Sequence, residues 1–276
     1  MPSRLFITTE ELDSRRGDPR LRVVDVRWDL VDPAAGLLAW QRARIPGAAY
    51  LHWLDDLSDP DDPVPGQLAP PPVFAAAMER TGIGDDDLVV GYDDSVIFMA
   101  ARLAWSLRTY GHERVHILDG GFRKWSAEGR QIERGPATSA TRRRPGGFTP
   151  RLDAGRYAAK RDVVATLAAG DAVLVDCRMD ETWLAAGAHI PGARRLPAPS
   201  LVDPESRTLL DPDAIAAKAA AAGLSPDANL VLYCGGGVSA SLVLAALERA
   251  GYNRLRVYDG SWSEWSADGE LPVQPH

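Results

Sequence analysis

The sequence predicts an α/β protein of two tandem domains, each a mainly parallel sheet flanked by helices. Two observations predict it. The chain is written twice, and each copy alternates short apolar runs with helical stretches. "VVDVR" at 23–27 recurs as "LVDCR" at 174–178, and "ARIPGAAY" at 43–50 as "AHIPGARR" at 188–195. "DLVVGYDD" at 87–94 recurs as "NLVLYCGG" at 229–236. "YGHERVHILDGGFRKWSAEG" at 110–129 recurs as "AGYNRLRVYDGSWSEWSADG" at 250–269. The order is kept and the spacing barely drifts. So long a period marks two homologous domains rather than a solenoid of short units. "RGPATSATRRRPGG" at 134–147 is rich in Pro, Gly, Ser, Thr and Arg and reads as the linker. It leaves one domain at 1–133 and the other at 148–276.

The elements follow in order within each copy. "LRVVDV" and "AVLVDC" are short apolar runs ending in Asp, as buried strands do. "DLVVGY" and "NLVLYC" repeat that pattern. A helix is predicted after each, over 97–110 and 238–250. In the second, Val238, Leu242, Ala245 and Ala246 recur at helical spacing, and Gly251 is placed to cap the end. "RVHILDGG" and "RLRVYDGS" then read as a strand and a turn. Strand, helix, strand at this spacing implies βαβ units and a parallel sheet. Ligands of such sheets sit beyond the carboxyl ends of the strands, and Cys234 stands at such an end.

Bulk composition narrows the class. The chain has 276 residues, a formal net charge of −7, 45% hydrophobic residues and 25% charged ones. These suit a soluble globular protein, and the acidic balance argues against nucleic acid as a partner. The first residues lack the apolar core of a signal peptide, and no run approaches about 18 apolar residues. No membrane partner is expected. Two cysteines make no disulfide framework and lack metal-ligand spacing, so no metal is expected and a cytoplasmic location is the default.

The stretch "YCGGGVSA" at 233–240 carries the chemistry. Its glycines permit positive φ and close backbone approach. Successive amides can form an anion-binding nest, and the helix starting near Val238 adds its positive end. Such a setting favours a thiolate on Cys234 and would steady a persulfide or oxyanion there. The alternative is a buried, inert cysteine before a glycine-rich turn. A phosphate-binding loop lacks support, since G-x-x-x-x-G-K-[ST] and G-x-G-x-x-G are both absent.

These motifs together resemble the tandem-domain rhodanese family, the thiosulfate and 3-mercaptopyruvate sulfurtransferases, over nearly the whole chain. The resemblance rests on Asp25-Val26-Arg27 and Asp176-Cys177-Arg178, on Arg44 to Ala48 and His189 to Ala193, and on Asp119 to Trp125 and Asp259 to Trp265. Its most specific element is Cys234-Gly235-Gly236-Gly237-Val238-Ser239-Ala240. It implies two rhodanese-like domains, the second catalytic and the first not. The aligned copies agree, because Asp93 stands where the second has Cys234, and a carboxylate cannot accept a sulfane sulfur. The implied nucleophile is Cys234, its persulfide held by the amides of Gly235, Gly236, Gly237, Val238, Ser239 and Ala240. Arg178 is implied to bind the anionic donor, the other reading being a structural ion pair like that of its twin Arg27. Ser239 either bonds the donor or persulfide or caps the helix. Cys177 reads as a small packed residue, the other reading being a redox partner for Cys234. No cofactor is implied.

The implied partners are a small anionic sulfur donor and a thiol or cyanide acceptor, with a protein acceptor left open. The donor signals are mixed. An uncharged loop resembles the mercaptopyruvate enzymes. However, Thr182 and Trp183 replace the family's second arginine and its aromatic neighbour, and "GQLAPPP" at 66–72 lacks the family's histidine. Thiosulfate is the expected donor on these absences, with 3-mercaptopyruvate the alternative; Arg194 or Arg195 could supply the missing charge. A sulfur carrier and a phosphatase-like relative are the rival classes; the latter would need a longer loop ending in arginine.

Overall fold

A computed structural model describes residues 5–94, 98–135 and 147–276. Of the expected linker, residues 136–146 lie outside these, as does Ile97, the expected start of the first long helix. The first half runs β1 (Phe6–Ile7), α1 (Thr9–Arg15), β2 (Leu21–Asp25), α2 (Ala35–Arg42), β3 (Ala49–Tyr50), α3 (Trp53–Asp56), α4 (Pro71–Arg80), β4 (Leu88–Tyr92), α5 (Phe98–Thr109), β5 (Val115–Leu118) and α6 (Gly121–Ala127). The second runs β6 (Tyr157–Ala158), α7 (Lys160–Ala169), β7 (Val173–Asp176), α8 (Asp180–Ala186), β8 (Ala188–His189), β9 (Arg194–Arg195), α9 (Pro212–Ala221), β10 (Leu230–Tyr233), α10 (Val238–Arg249), β11 (Leu255–Tyr258), α11 (Ser261–Ala267) and β12 (Gln274–Pro275).

The sheet orders are β1-β5-β4-β2-β3 and β6-β11-β10-β7-β9, with every pairing in both parallel. The two orders superpose strand for strand, as the repeated sequence requires. The short β12 pairs antiparallel with β8 outside them.

Alternation along the strands decides the layers. In β4, Leu88 and Val90 face a core with Leu12, Phe122 and Trp125, while Val89 faces the opposite side. That opposite side is shared by both halves. Val24, Val89 and Ile117 of the first sheet join Val175, Leu232 and Val257 of the second in one hydrophobic cluster. Helices α5 and α10 fill this layer and pack against each other. Residues Met99 to Thr109 of α5 are all buried, including Arg102 and Arg108. A helix buried on every side belongs between two layers, which explains its near-continuous apolar sequence.

Each central strand pair ends in the same polar clamp. The carboxylate of Asp25 accepts from the Nε and Nη2 of Arg27 and, at 2.6 Å, from the hydroxyl of Tyr92. In the second half Asp176 accepts from the same atoms of Arg178 and, at 2.9 Å, from Tyr233. Both tyrosine hydroxyls also accept a backbone N–H, from Ile45 and Ile190. Each clamp so ties a strand end to the loop carrying the Ile-Pro-Gly-Ala motif.

Tyr92→Phe and Tyr233→Phe each strip a hydrogen bond from a buried carboxylate. Each is expected to lower stability by about 1–3 kcal/mol. Urea unfolding would show this as similar midpoint losses; an unchanged midpoint in either variant would contradict the clamp.

Candidate active site

Cys234 directly follows β10, and the first turn of α10 begins at Val238. The thiol is nearly enclosed, at 3% exposure. Gly237 precedes the helix with φ +77°. A Cβ there would lie 2.6 Å from Arg102 Nη1 and 2.8 Å from Asp259 Oδ1, so only glycine fits. Gly235 and Gly236 serve differently from the expectation. Neither has positive φ, and a Cβ on either would meet nothing closer than the carbonyl of Pro65, 3.8 Å from that of Gly236. Their missing side chains leave the mouth of the loop open rather than relieve strain.

The loop rests on the turn after β11. Ser261 Oγ accepts from the amides of Cys234 at 3.1 Å and Gly237 at 3.0 Å, and donates to the carbonyl of Tyr258. The carbonyl of Cys234 accepts from Trp262 N–H, and that of Gly235 from the backbone and hydroxyl of Ser263. Ser261 has φ +53°. Its twin in the first half is Gly121, at φ +57°. Glycine adopts this conformation freely, whereas serine does so at a cost on the order of 1 kcal/mol. The second half keeps serine, and the hydroxyl holds the cysteine loop.

Among the described residues, the amides of Gly235, Gly236, Val238, Ser239 and Ala240 have no protein acceptor. That of Gly237 is engaged by Ser261 and turns away from the expected cradle. Val238, Ser239 and Ala240 form the first turn of α10, where N–H groups lack intrahelical partners. No side chain caps this helix, so the capping role considered for Ser239 is not the one it plays. Open amides at a helix start are the kind of group that binds an anion.

The first half shows what such a cradle holds. Asp93 follows β4 as Cys234 follows β10, and its carbonyl accepts from Phe122 N–H, the twin of Trp262. Asp93 is 1% exposed, and its Oδ2 accepts at 2.9 Å from the amide of Ala100, the counterpart of Ala240. A carboxylate of the chain itself occupies the helix N-terminus.

Arg178 is less free than expected. It is buried, bonded to Asp176 through Nε and Nη2, and bonded to the Ala188 carbonyl at 2.9 Å. Trp262 stacks on it at 4.6 Å. Arg27 makes the same set of contacts with Asp25, Ala43 and Phe122 in the half without the cysteine. The guanidinium therefore works first as a strand-end clamp. Among the described residues its buried Nη1 has no hydrogen-bond partner. Arg195 pairs with Asp180 and stacks on Trp183, while Arg194 is exposed. Cys177 is fully buried, its Sγ 3.5 Å from the carbonyl of Val175. Burial pushes its thiol well up, and the neighbouring Cys234 and Asp176 add to the rise. Sequence reasoning missed Ser261, Arg102 and Asp259. The Gly121/Ser261 difference between the copies was a signal for the first.

The rhodanese-like domain model matches residues 8–128 and 160–268. The chain belongs to the rhodanese family. The 3-mercaptopyruvate sulfurtransferase of Escherichia coli K12 is 32% identical over 288 residues, spanning 100% of this chain and 99% of the relative. Thiosulfate/3-mercaptopyruvate sulfurtransferase 2 of Arabidopsis thaliana is 29% identical over 296 residues, spanning 97% of this chain and 85% of the relative. The crystal structure of SseA from Escherichia coli superposes with a TM-score of 0.84 at 29% identity, covering 94% of this chain and 98% of that one. The expected pair of rhodanese-like domains, each a parallel sheet flanked by helices, is what the chain forms.

In the native rhodanese fold, iodoacetamide is expected to modify Cys234 and spare Cys177 until the protein unfolds. Mass mapping of the alkylated peptides measures this; early labelling of Cys177 would contradict its burial.

Proposed function

We propose that the protein moves a sulfane sulfur from thiosulfate to a thiophilic acceptor through a persulfide on Cys234. That the chain is a sulfurtransferase rests on its family and full-length relatives. One observation carries the site: Asp93 places a carboxylate on the helix amide at the position Cys234 occupies in the other copy. The fold stabilises negative charge there, and Cys234 turns that place into a nucleophile.

The chemistry follows from the cradle. The Cys234 thiolate attacks the outer sulfur of thiosulfate. The donor's S–S bond breaks, and sulfite leaves with its electron pair. The persulfide carries its negative charge on the terminal sulfur, where the open amides of Gly235, Gly236, Val238, Ser239 and Ala240 can donate to it. Cyanide or a thiolate then attacks that sulfur. The persulfide S–S bond breaks, thiocyanate or a new persulfide departs, and the Cys234 thiolate returns. Gly237 shapes the turn rather than donating, since its amide serves Ser261. The Nη1 of Arg178 is the one part of that guanidinium left to meet the donor's oxygens.

The donor choice rests on absences, Thr182 in place of an arginine and no histidine at 66–72. A second reading takes 3-mercaptopyruvate as donor. The uncharged loop and the name of the Escherichia coli relative favour it. Among the described residues no helix is long and apolar enough to cross a membrane. Two free thiols suit a reducing compartment, the cytoplasm in this reading.

Cys234→Ser is expected to abolish transfer while leaving the melting temperature near that of the parent. Incubation with thiosulfate should add the mass of one sulfur atom to the Cys234 peptide. If only 3-mercaptopyruvate adds it, the second reading replaces the first; transfer by Cys234→Ser would remove the nucleophile assignment altogether.

A further inference from the structure

Behind the Cys234 loop lies a buried ion pair that joins the two halves. Arg102 of α5 and Asp259 of the turn after β11 are 0% and 1% exposed in their side chains, with Nη1 and Oδ1 2.5 Å apart. The other Asp259 oxygen accepts from Leu68 N–H at 2.5 Å, and Arg102 Nη2 donates to the Gly66 carbonyl at 2.9 Å. Trp105 stacks on the guanidinium at 4.4 Å. Every partner of this carboxylate named here is supplied by the half that lacks the cysteine. On its far side the pair meets the loop, since the position of a Gly237 Cβ lies within 3 Å of both Arg102 Nη1 and Asp259 Oδ1. Two residues after Asp259, Ser261 holds the amides of Cys234 and Gly237.

The repeat supplies an internal comparison. Asp119, the twin of Asp259, accepts from Leu209 N–H of the other half at 2.8 Å. The backbone clasp between halves is thus made twice, once in each direction. The buried arginine is not. At the corresponding turn of α10 stand Leu242 and Val243, and Asp119 instead meets the part-exposed end of Arg249 at 3.4 Å. If docking alone were the task, the backbone clasp would serve both sides alike. A buried ion pair seldom improves stability over apolar packing, so its presence on one side calls for a local role. That side is the one bearing Cys234.

We propose that Arg102 is a positioning residue for Cys234, acting through Asp259 to fix Gly237 and the amide cradle in place. The non-catalytic half then sets the reactivity of the cysteine as well as the shape of the cleft. The proposal rests on Cys234 being the working thiol, as in the preceding section. Its readout is alkylation rather than sulfur transfer, so the two can fail separately.

The experiment measures the iodoacetamide rate at Cys234 at fixed pH, with kcat and KM for thiosulfate alongside, in full-length Arg102→Gln, Arg102→Lys and Asp119→Asn. Arg102→Gln is expected to slow alkylation at least about tenfold, the scale of a small misplacement of a reacting group, with kcat falling more than KM rises. Arg102→Lys should recover part of the rate. Asp119→Asn, which weakens the mirror clasp, should stay within about twofold of the parent. Should Arg102→Gln not fold, Arg102→Met with Asp259→Asn removes both charges together and should show the same slowing. Parent-like alkylation in a folded Arg102→Gln or in the double variant, or equal slowing in Asp119→Asn, would overturn the proposal in favour of simple docking.

Discussion

The N-terminus of a buried helix, with amides that need an acceptor, is the constraint around which both halves are built. Helices α5 and α10 lie back to back in the shared apolar layer, each starting where a central strand ends. Such a start leaves N–H groups that a low-dielectric interior does not forgive. The first half answers with Asp93, whose carboxyl oxygen accepts from the amide of Ala100. The second leaves the place to Cys234, and in the proposed cycle the negative charge moves between its own sulfur and the sulfur it carries. One copy fills its helix start with its own carboxyl group and the other leaves the amides there open.

The open copy needs support that the closed copy does without. A loop with adjacent glycines has little stiffness of its own. Here stiffness comes from outside it: the Ser261 hydroxyl under two of its amides, the Ser263 and Trp262 contacts to its carbonyls, and the Arg102–Asp259 pair behind Gly237. Ser261 shows the direction of the trade. It accepts a backbone conformation that its twin Gly121 adopts freely, and in exchange places an acceptor where the loop requires one. Preorganised amides of this kind need not reorganise when charge moves onto the sulfur.

The repeat, the parallel sheets, the start of α10 at Val238 and the place of Cys234 at a strand end were legible in the sequence. They depend on local periodicity and on comparing the chain with itself. The division of labour within the loop was not. Nothing in "CGGG" tells that Gly237 alone needs positive φ, or that its amide faces Ser261. The two readings of Arg178, donor ligand and structural ion pair, could not be weighed locally: its clamp to Asp176 is repeated by Arg27 and Asp25 in the half without the cysteine, but there Nη1 also meets Asp94. Arg102 and Asp259 are 157 residues apart, and no local pattern links them. The hint was an arginine within the apolar stretch "FMAARLAW", a position that must find a buried partner.

The claim that the fold holds an anion at position 234 can be tested by copying its own twin. Thermal melting of Cys234→Asp against Cys234→Asn compares a charged and a neutral side chain of nearly equal size. The account predicts that Cys234→Asp melts higher at neutral pH. A cradle that favours the carboxylate depresses its folded pKa, so the advantage is full above the ordinary aspartate range, about 4. It should disappear as pH falls through the depressed value. A Cys234→Asn protein that melts as high as Cys234→Asp at neutral pH, or higher, would contradict the account.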